Sequence, residues 1–404
     1  MSKFQPIKEQ MELIRRGVDE IISEDELQQK LETSLKTGIP LTVKLGCDPS
    51  RPDLHIGHAV VLRKLRHFQD LGHRAVLVVG DFTAMIGDPS GRNKTRPQIS
   101  AEKTKEYGKT YVNQASVILD IEKLDIVYNS EWLGVLKFQD VIHLASHYTV
   151  ARILERDDFE KRYKQGIPIS IHEFLYPFAQ AMDSIELKAD VELGGTDQKF
   201  NLLMARDLQR DFNQDPQVVI TTPLLEGTDG IQKMSKSYDN FIGITENAKD
   251  MYGKTLSIPD SLIPRYFELA SDLAKTELDP LLKQLEENSV NPRDLKRKLA
   301  REIVTLYHSE EAALQAEREF DRIFIEKGIP EELESYKVTS SPVNIVQLLY
   351  DARLVLSKRD GRRLVKQGAV KVDGEKITDI TANLQIENER VLKVGKRRFL
   401  KVYV

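Results

Sequence analysis

Two short segments carry residue types at spacings suited to phosphate chemistry. The first, GCDPSRPDLHIGHAV (46–60), sets His55 and His58 on either side of Ile56-Gly57. Three-residue spacing puts both imidazoles on one side of an opening helical turn. That turn also offers unpaired N–H groups and the positive end of the helix dipole, which suit a phosphate. Gly57 permits close backbone approach. The second segment is KMSKS (233–237), preceded by the turn EGTDG (226–230). Lys233 and Lys236 would close as cations over a polyphosphate and stabilise charge developing on it. Either segment alone is commonplace, since paired histidines serve as caps and a KxxK loop is normally a solvated surface. Their combination, in this order, is not.

Both segments must be positioned by a sheet. After Gly38-Ile39-Pro40 the pattern becomes apolar strands alternating with amphipathic helices. Strands are predicted at 41–47, 75–81, 124–129 and 218–224, with helices over 58–72, 101–118, 170–187 and 196–212. Continuous apolar strands in strand–helix alternation predict a parallel sheet covered on both faces. Ligands then bind beyond the C-terminal strand ends, where both segments fall. Residues 1–36 read as helices, including QMELIRRGVDEII (10–22). Beyond Thr245 the pattern is helical, as in 292–309 and 310–324. GIPEELESYKVTSSP (328–342) has the composition of a linker.

Composition narrows the classes. The 404 residues are 40% hydrophobic and 30% charged, which excludes an intrinsically disordered chain. Cys47 is the only cysteine, so no intrachain disulfide and no cysteine-based zinc or redox motif is available. Apolar runs such as Ala75–Val79 are strand-sized, and MSKFQPIKEQ lacks the apolar stretch of a signal peptide. A cytoplasmic protein with no membrane partner is expected. The formal charge of −4 is an average of unlike parts. Residues 341–404 hold 14 Lys+Arg against 7 Asp+Glu, a balance of +7, leaving −11 on the first 340. Such a basic module suggests a polyanionic partner.

Three further segments extend the pattern: GDFTAMIGDPSGRNKTR (80–96), HEFLYPFAQAMDSIEL (172–187) and ELGGTDQKFN (192–201). With HIGH and KMSKS, they make the sequence resemble the tyrosyl-tRNA synthetases of the class I aminoacyl-tRNA synthetases, specifically the second bacterial subgroup. The resemblance covers about 40–240 and 341–404. It implies an α/β fold in four parts: a Rossmann-like parallel-sheet catalytic domain (1–240), an α-helical domain (241–330), a linker (331–340) and a small α+β S4-like RNA-binding domain (341–404).

It also implies site residues. His55, His58, Lys233 and Lys236 would be catalytic. They would bind ATP together with Gly57, Gly195, Asp197, Met234, Ser235 and Ser237, and Gly194 would allow the nucleotide near the backbone. Tyr176, Gln180 and Asp183, at i, i+4 and i+7, share one helix face flanked by Phe174, Phe178 and Met182. In the family, the counterparts of Tyr176, Gln180 and Asp88 hold the substrate α-amino group. The counterpart of Asp183 accepts a hydrogen bond from the substrate phenol. Asp48, Thr83 and Gln198 match further amino-acid positions, and Arg92 and Arg96 match mobile cations near the pyrophosphate. Lys44 is a departure, because many relatives place there a tyrosine that partners the phenol.

The resemblance further implies L-tyrosine, ATP with Mg²⁺ and tRNA(Tyr) as substrates, no tightly bound protein-ligated metal, and a homodimer. SKRDGRRLVKQGAVKVDGEKI (357–377) is similar to the S4-like domain, with Arg359, Arg362, Arg363 and Lys366 clustered on a helix that would meet RNA. A hairpin is expected at Asp373-Gly374. His143 and His147 are spaced like metal ligands but lack the Glu of a metalloprotease motif. Three alternatives stay open: a related tryptophan ligase, an unrelated HxGH nucleotidyltransferase, and a non-catalytic RNA-binding paralogue. Asp183, KMSKS with the basic tail, and the two intact signatures respectively speak against them.

Overall fold

The computed structural model describes residues 4–49, 53–90, 101–326, 333–395 and 398–404. The chain forms two compact units, 1–313 and 314–404.

The first unit is built on β1 (Glu20–Ile22), β2 (Thr42–Cys47), β3 (Arg74–Val79), β4 (Leu124–Tyr128), β5 (Val191–Gly195) and β6 (Val218–Thr222), in the order β1-β6-β5-β2-β3-β4. From β6 to β4 all neighbours are parallel. β3 is buried from Ala75 to Val79 and β6 throughout, as strands covered on both faces must be. β3 lies on one side of β2 and β5 on the other, so the chain leaves the C-terminal ends of β2 and β5 in opposite directions. A crevice opens there.

One expectation needs correcting. The helix predicted through Gln10–Ile22 ends at Arg15, and Glu20–Ile22 is an edge strand antiparallel to β6. Gly17, at φ +61°, turns the chain out of the helix. The apolar periodicity of 18–22 therefore served a strand. The following helix, Glu24–Thr37, starts at the Ser23 cap and stops at Gly38 in the left-handed conformation.

The helix that carries Tyr176, Gln180 and Asp183 spans Ile171–Leu187. Its first turn is closed by Glu173, whose Oε1 accepts from the Ser170 N–H at 2.8 Å. The same carboxylate receives both Arg162 nitrogens, at 2.6 and 3.0 Å, in a bidentate pair that is fully buried. Phe178 packs with Ile153, Phe159 and Leu208 in an apolar cluster on the far side of the helix from the crevice residues.

The helices Ala248–Leu256, Ile263–Ala270, Lys275–Glu286 and Pro292–Tyr307 belong to the first unit rather than standing apart. Ile263 and Phe267 are fully buried. Arg265 and Tyr266 donate to the carbonyls of Leu224 and Glu226, just beyond β6, each at 2.7 Å. An amphipathic pattern shows that a helix buries one face, but not that the face closes on the preceding domain.

The second unit contains β7 (Ser335–Lys337), β8 (Val343–Asn344), β9 (Val370–Val372), β10 (Glu375–Ile377), β11 (Asn383–Leu384), β12 (Arg390–Val394) and β13 (Arg398–Tyr403). Five strands form the sheet β10-β9-β12-β13-β7, and β8 pairs with β11. Helices Ile345–Asp351 and Lys358–Lys366 share a core of Leu349, Val365, Val370 and Leu392 with the sheet. The β9–β10 hairpin turns on Asp373 and Gly374, both at positive φ, as a two-residue loop of this kind demands. Part of the expected linker is structured, since Ser335–Lys337 pairs in parallel with β13.

Removing one member of a buried ion pair strands the other, at a cost of about 3–5 kcal/mol. Glu173→Ala should lower the urea-unfolding stability of the full chain by that amount. Arg162→Met combined with Glu173→Leu should recover most of it. An unchanged midpoint in the single variant would show that Arg162–Glu173 does not hold the helix.

Candidate active site

His55 caps the helix Ile56–Asp70 beyond the end of β2. The His55 backbone N–H donates to His58 Nδ1 at 3.3 Å, which leaves His58 Nε2 as the protonated, donating nitrogen. The ring centroids are 3.8 Å apart. Burial, then the neighbouring His58, Lys236 and Lys233, pushes His55 down to about 2. Burial and the same lysines take His58 to about 4. Both are therefore neutral donors at pH 7, with the positive charge of the site carried by lysines.

The second loop is laid directly on the first. Ile56 N–H donates to Ile242 O at 3.0 Å and Ile244 N–H to Leu54 O at 3.2 Å, forming a short bridge through His55 and Gly243. A Cβ on Gly57 would lie 3.0 Å from His55 Nδ1 and 3.4 Å from Met234 Cβ, so glycine lets the loops meet. The base of the KMSKS hairpin is closed by Met234 N–H to Leu225 O and Gly227 N–H to Gln232 O, both 2.8 Å. Asn240 braces it from inside, accepting from Ser235 N–H at 2.8 Å and donating to Asp229 Oδ2 at 3.0 Å. Lys233 Nζ pairs with Asp197 at 3.1 Å, and Lys236 Nζ pairs with Asp53 and lies 5.4 Å from the Phe241 ring centre.

The other half of the crevice is a web of oriented polar groups. Asp48 accepts from Thr83 Oγ1 at 2.6 Å and from the Tyr176 hydroxyl at 2.8 Å. Asp88 accepts from Ser90 N–H and Gln198 Nε2, each at 2.8 Å, and from Arg156 at 3.3 Å. Asp183 is fully buried. Its Oδ1 accepts from the Trp132 indole N–H at 2.9 Å and its Oδ2 from Asn129 at 3.4 Å. Burial pushes its carboxyl up to about 7, against the Lys44 charge and those two hydrogen bonds, which favour the ionised form.

Lys44 does not line the crevice. It is wholly buried between β2 and β5, 2.9 Å from Glu192. Donors to Asp183 come instead from Trp132 and Asn129, just after β4. The sequence reading missed both, as it missed Arg156, Asn201, Asp53 and Glu192. The one available signal was that Trp132 is the chain's only tryptophan.

Every residue assigned above to ATP or tyrosine lines one cleft of about 720 Å³ in the first unit, as does Gly194. Arg92 and Arg96 lie outside the described residues. Arg359, Arg362, Arg363 and Lys366 are exposed on the helix Lys358–Lys366 of the second unit. His143 and His147 stack edge to face, with His147 3.2 Å from Asp211. Among the described residues, no group of three or more His, Cys, Asp or Glu side chains is placed to hold a metal.

The family model for class I tRNA synthetases (W and Y) matches residues 36–325, and that for the tyrosine–tRNA ligase SYY-like C-terminal domain matches 324–402. The tyrosine–tRNA ligase of Salinibacter ruber is 57% identical over 99% of this chain and 97% of its own length. That of Chlorobaculum tepidum is 55% identical over 99% of this chain and 98% of its own. Tyrosyl-tRNA synthetase from Archaeoglobus fulgidus, solved in complex with L-tyrosine, superposes with a TM-score of 0.64. The match covers 77% of this chain and 99% of that one at 23% identity, a likeness of fold. With nearly full-length identity above one half and both family models matched in order, the chain belongs to the tyrosine–tRNA ligase family of class I tRNA synthetases.

Proposed function

We propose that this cleft carries out the family's reaction, ligation of tyrosine to tRNA(Tyr), in two steps. A tyrosine carboxylate oxygen attacks the α-phosphorus of ATP, supplied as its Mg²⁺ complex. The bond from that phosphorus to the oxygen bridging to the β-phosphorus breaks, and pyrophosphate leaves with the electron pair. A terminal ribose hydroxyl of the tRNA then attacks the tyrosyl carbonyl, and AMP leaves. The observation that carries this reading is the placement of Asp183, with its two donors, in the same cleft as the joined HIGH and KMSKS loops.

In the first step no side chain need act as nucleophile or base, because the attacking group is already a carboxylate; in the second, the hydroxyl proton passes to a phosphate oxygen of the departing AMP. Catalysis is positioning and charge stabilisation. Neutral His55 and His58 donate hydrogen bonds to the phosphates from one wall, and Lys233 and Lys236 supply charge from the other. Gly57, Gly195, Met234, Ser235 and Ser237 shape the nucleotide site, and Asp197 holds the ribose. Asp48, Thr83, Asp88, Tyr176, Gln180 and Gln198 surround the amino-acid end. Asp183 accepts the phenol hydrogen bond. An amino acid without the hydroxyl would leave this buried acceptor unsatisfied, at an uncompensated desolvation cost.

The exposed Arg359, Arg362, Arg363 and Lys366 would meet the tRNA backbone. Val135, Phe138, Ile142, Val150, Tyr163 and Ile171, each more than half exposed, concentrate between residues 135 and 171. That concentration supports the homodimer. No helix among the described residues is long and apolar enough to cross a membrane, consistent with cytoplasmic work.

In single-turnover assays, His58→Ala and Lys236→Ala should each slow tyrosyl-adenylate formation by about 10²–10³-fold, a barrier increase of about 2.7–4 kcal/mol. Tyrosine affinity should stay within about twofold. Unaltered adenylate formation in both variants would refute the assignment.

Acceptance of the phenol needs Asp183 ionised, so kcat/KM for tyrosine should decline as pH falls through about 7. The two histidines titrate far lower and leave that limb to Asp183. Trp132→Phe, which removes a hydrogen bond favouring the carboxylate, should move the limb to higher pH. A profile flat to pH 5.5 would contradict this role.

Replacing Arg362 and Arg363 by Ala should leave tyrosine activation intact and weaken tRNA charging. The slope of log affinity against log salt should fall by roughly 1.5 for two lost phosphate contacts. Unchanged charging and slope would remove this helix from the RNA contact.

A further inference from the structure

Beneath the amino-acid end of the cleft runs a buried hydrogen-bond chain to which no motif assigns a role. Lys44 on β2 and Glu192 on β5 face each other in register, and their side chains are 0% and 1% exposed. The Glu192 carboxylate accepts from Lys44 Nζ at 2.9 Å, Gln180 Nε2 at 3.1 Å, Ser184 Oγ at 3.1 Å and Gln217 Nε2. Lys44 Nζ donates additionally to the Gln180 backbone carbonyl at 3.3 Å.

A carboxylate only accepts, so the Gln180 carboxamide must turn its nitrogen toward Glu192 and its oxygen away. That oxygen takes one hydrogen bond, from Asn201 Nδ2 at 3.0 Å, and its second lone pair remains. Asn201 is itself oriented, because its Oδ1 accepts from Arg156, which can only donate, at 3.0 Å. Its Nδ2 reaches Gln198 Oε1 at 3.1 Å as well. Between a pure acceptor at one end and a pure donor at the other, each amide has one permitted orientation.

We propose that Glu192, paired with Lys44, is the positioning residue that locks Gln180 with its carboxamide oxygen presented to the ammonium group of the amino-acid substrate. The inference rests on the reading of the cleft as a tyrosine site. Two facing apolar side chains would stabilise the β2–β5 seam at least as well as a buried ion pair. The acceptor at 192, acting with the Asn201 donor at the other end, forbids the flipped amide, whose N–H groups would oppose a cation. Lys44, placed where relatives carry a phenol partner, thus serves the opposite end of the substrate.

The test compares tyrosine with 3-(4-hydroxyphenyl)propanoate, which keeps the phenol and carboxylate but lacks the amine. The KM for tyrosine and the inhibition constant of the analogue are measured in tyrosine-dependent adenylate formation by the full chain. Wild type must bind tyrosine more tightly than the analogue, and its failure to use tyrosine at all would sink the functional reading, not this inference. In Glu192→Leu, which leaves no acceptor beside Gln180 Nε2, tyrosine KM should rise at least tenfold with kcat little altered, while the analogue's constant changes less than twofold. The paired variant Lys44→Met with Glu192→Met carries no stranded charge. It should show the same collapse of preference for the amine, and it decides the matter if the single variant does not fold. A tyrosine-to-analogue ratio that stays at its wild-type value, whether both ligands weaken together or neither does, overturns the proposal.

Discussion

Asp183 lines a ligand cleft yet is only 3% exposed, and a carboxylate so placed is costly unless other groups hold it. Much of the amino-acid half of the protein answers that cost. The helix Ile171–Leu187 delivers Asp183 together with Tyr176 and Gln180, and is itself fixed at its start by the buried Arg162–Glu173 pair. Trp132 and Asn129 reach over from the end of β4 to hold the two carboxylate oxygens. Lys44 adds a positive charge from the sheet below. These opposing influences leave the carboxyl at about 7, so that above that pH it is ionised and can accept.

The nucleotide half follows a different logic. It holds few charges, and those are tethered: Lys233 by Asp197 and Lys236 by Asp53. The two signature loops are joined by backbone hydrogen bonds between Leu54–Ile56 and Ile242–Ile244, across nearly two hundred residues of sequence. A side chain at Gly227 would strike Asn240 of the packed loop, and one at Gly57 would crowd the His55 ring. Preorganised donors of this kind act without reorganising during the reaction. The body's net negative charge is no obstacle, since a handful of placed groups sets the local field.

What the sequence revealed was local. Helix Ile171–Leu187, the hairpin at Asp373-Gly374 and the two signature loops all express their roles within a few residues, through spacing, caps and turn chemistry. Every nucleotide and amino-acid residue named from those segments reached one cleft. Hidden were the features that depend on partners far along the chain. Glu20–Ile22 is a strand because β6 offers it an edge, and Lys44 is tolerable because Glu192 lies opposite it on another strand. Trp132 and Asn201 matter through what they touch, which spacing does not encode. The helical region after Thr245 looked independent for the same reason, its anchoring at Leu224 and Glu226 being tertiary.

In the proposed reading, one cleft activates an amino acid with ATP and selects it by its phenol. Exchange of labelled pyrophosphate into ATP, run with the full chain and each of the twenty amino acids in turn, addresses both parts at once. Exchange should occur with tyrosine, and with phenylalanine only at a small fraction of that kcat/KM. Comparable exchange with phenylalanine, or none with any amino acid from correctly folded protein, would contradict it.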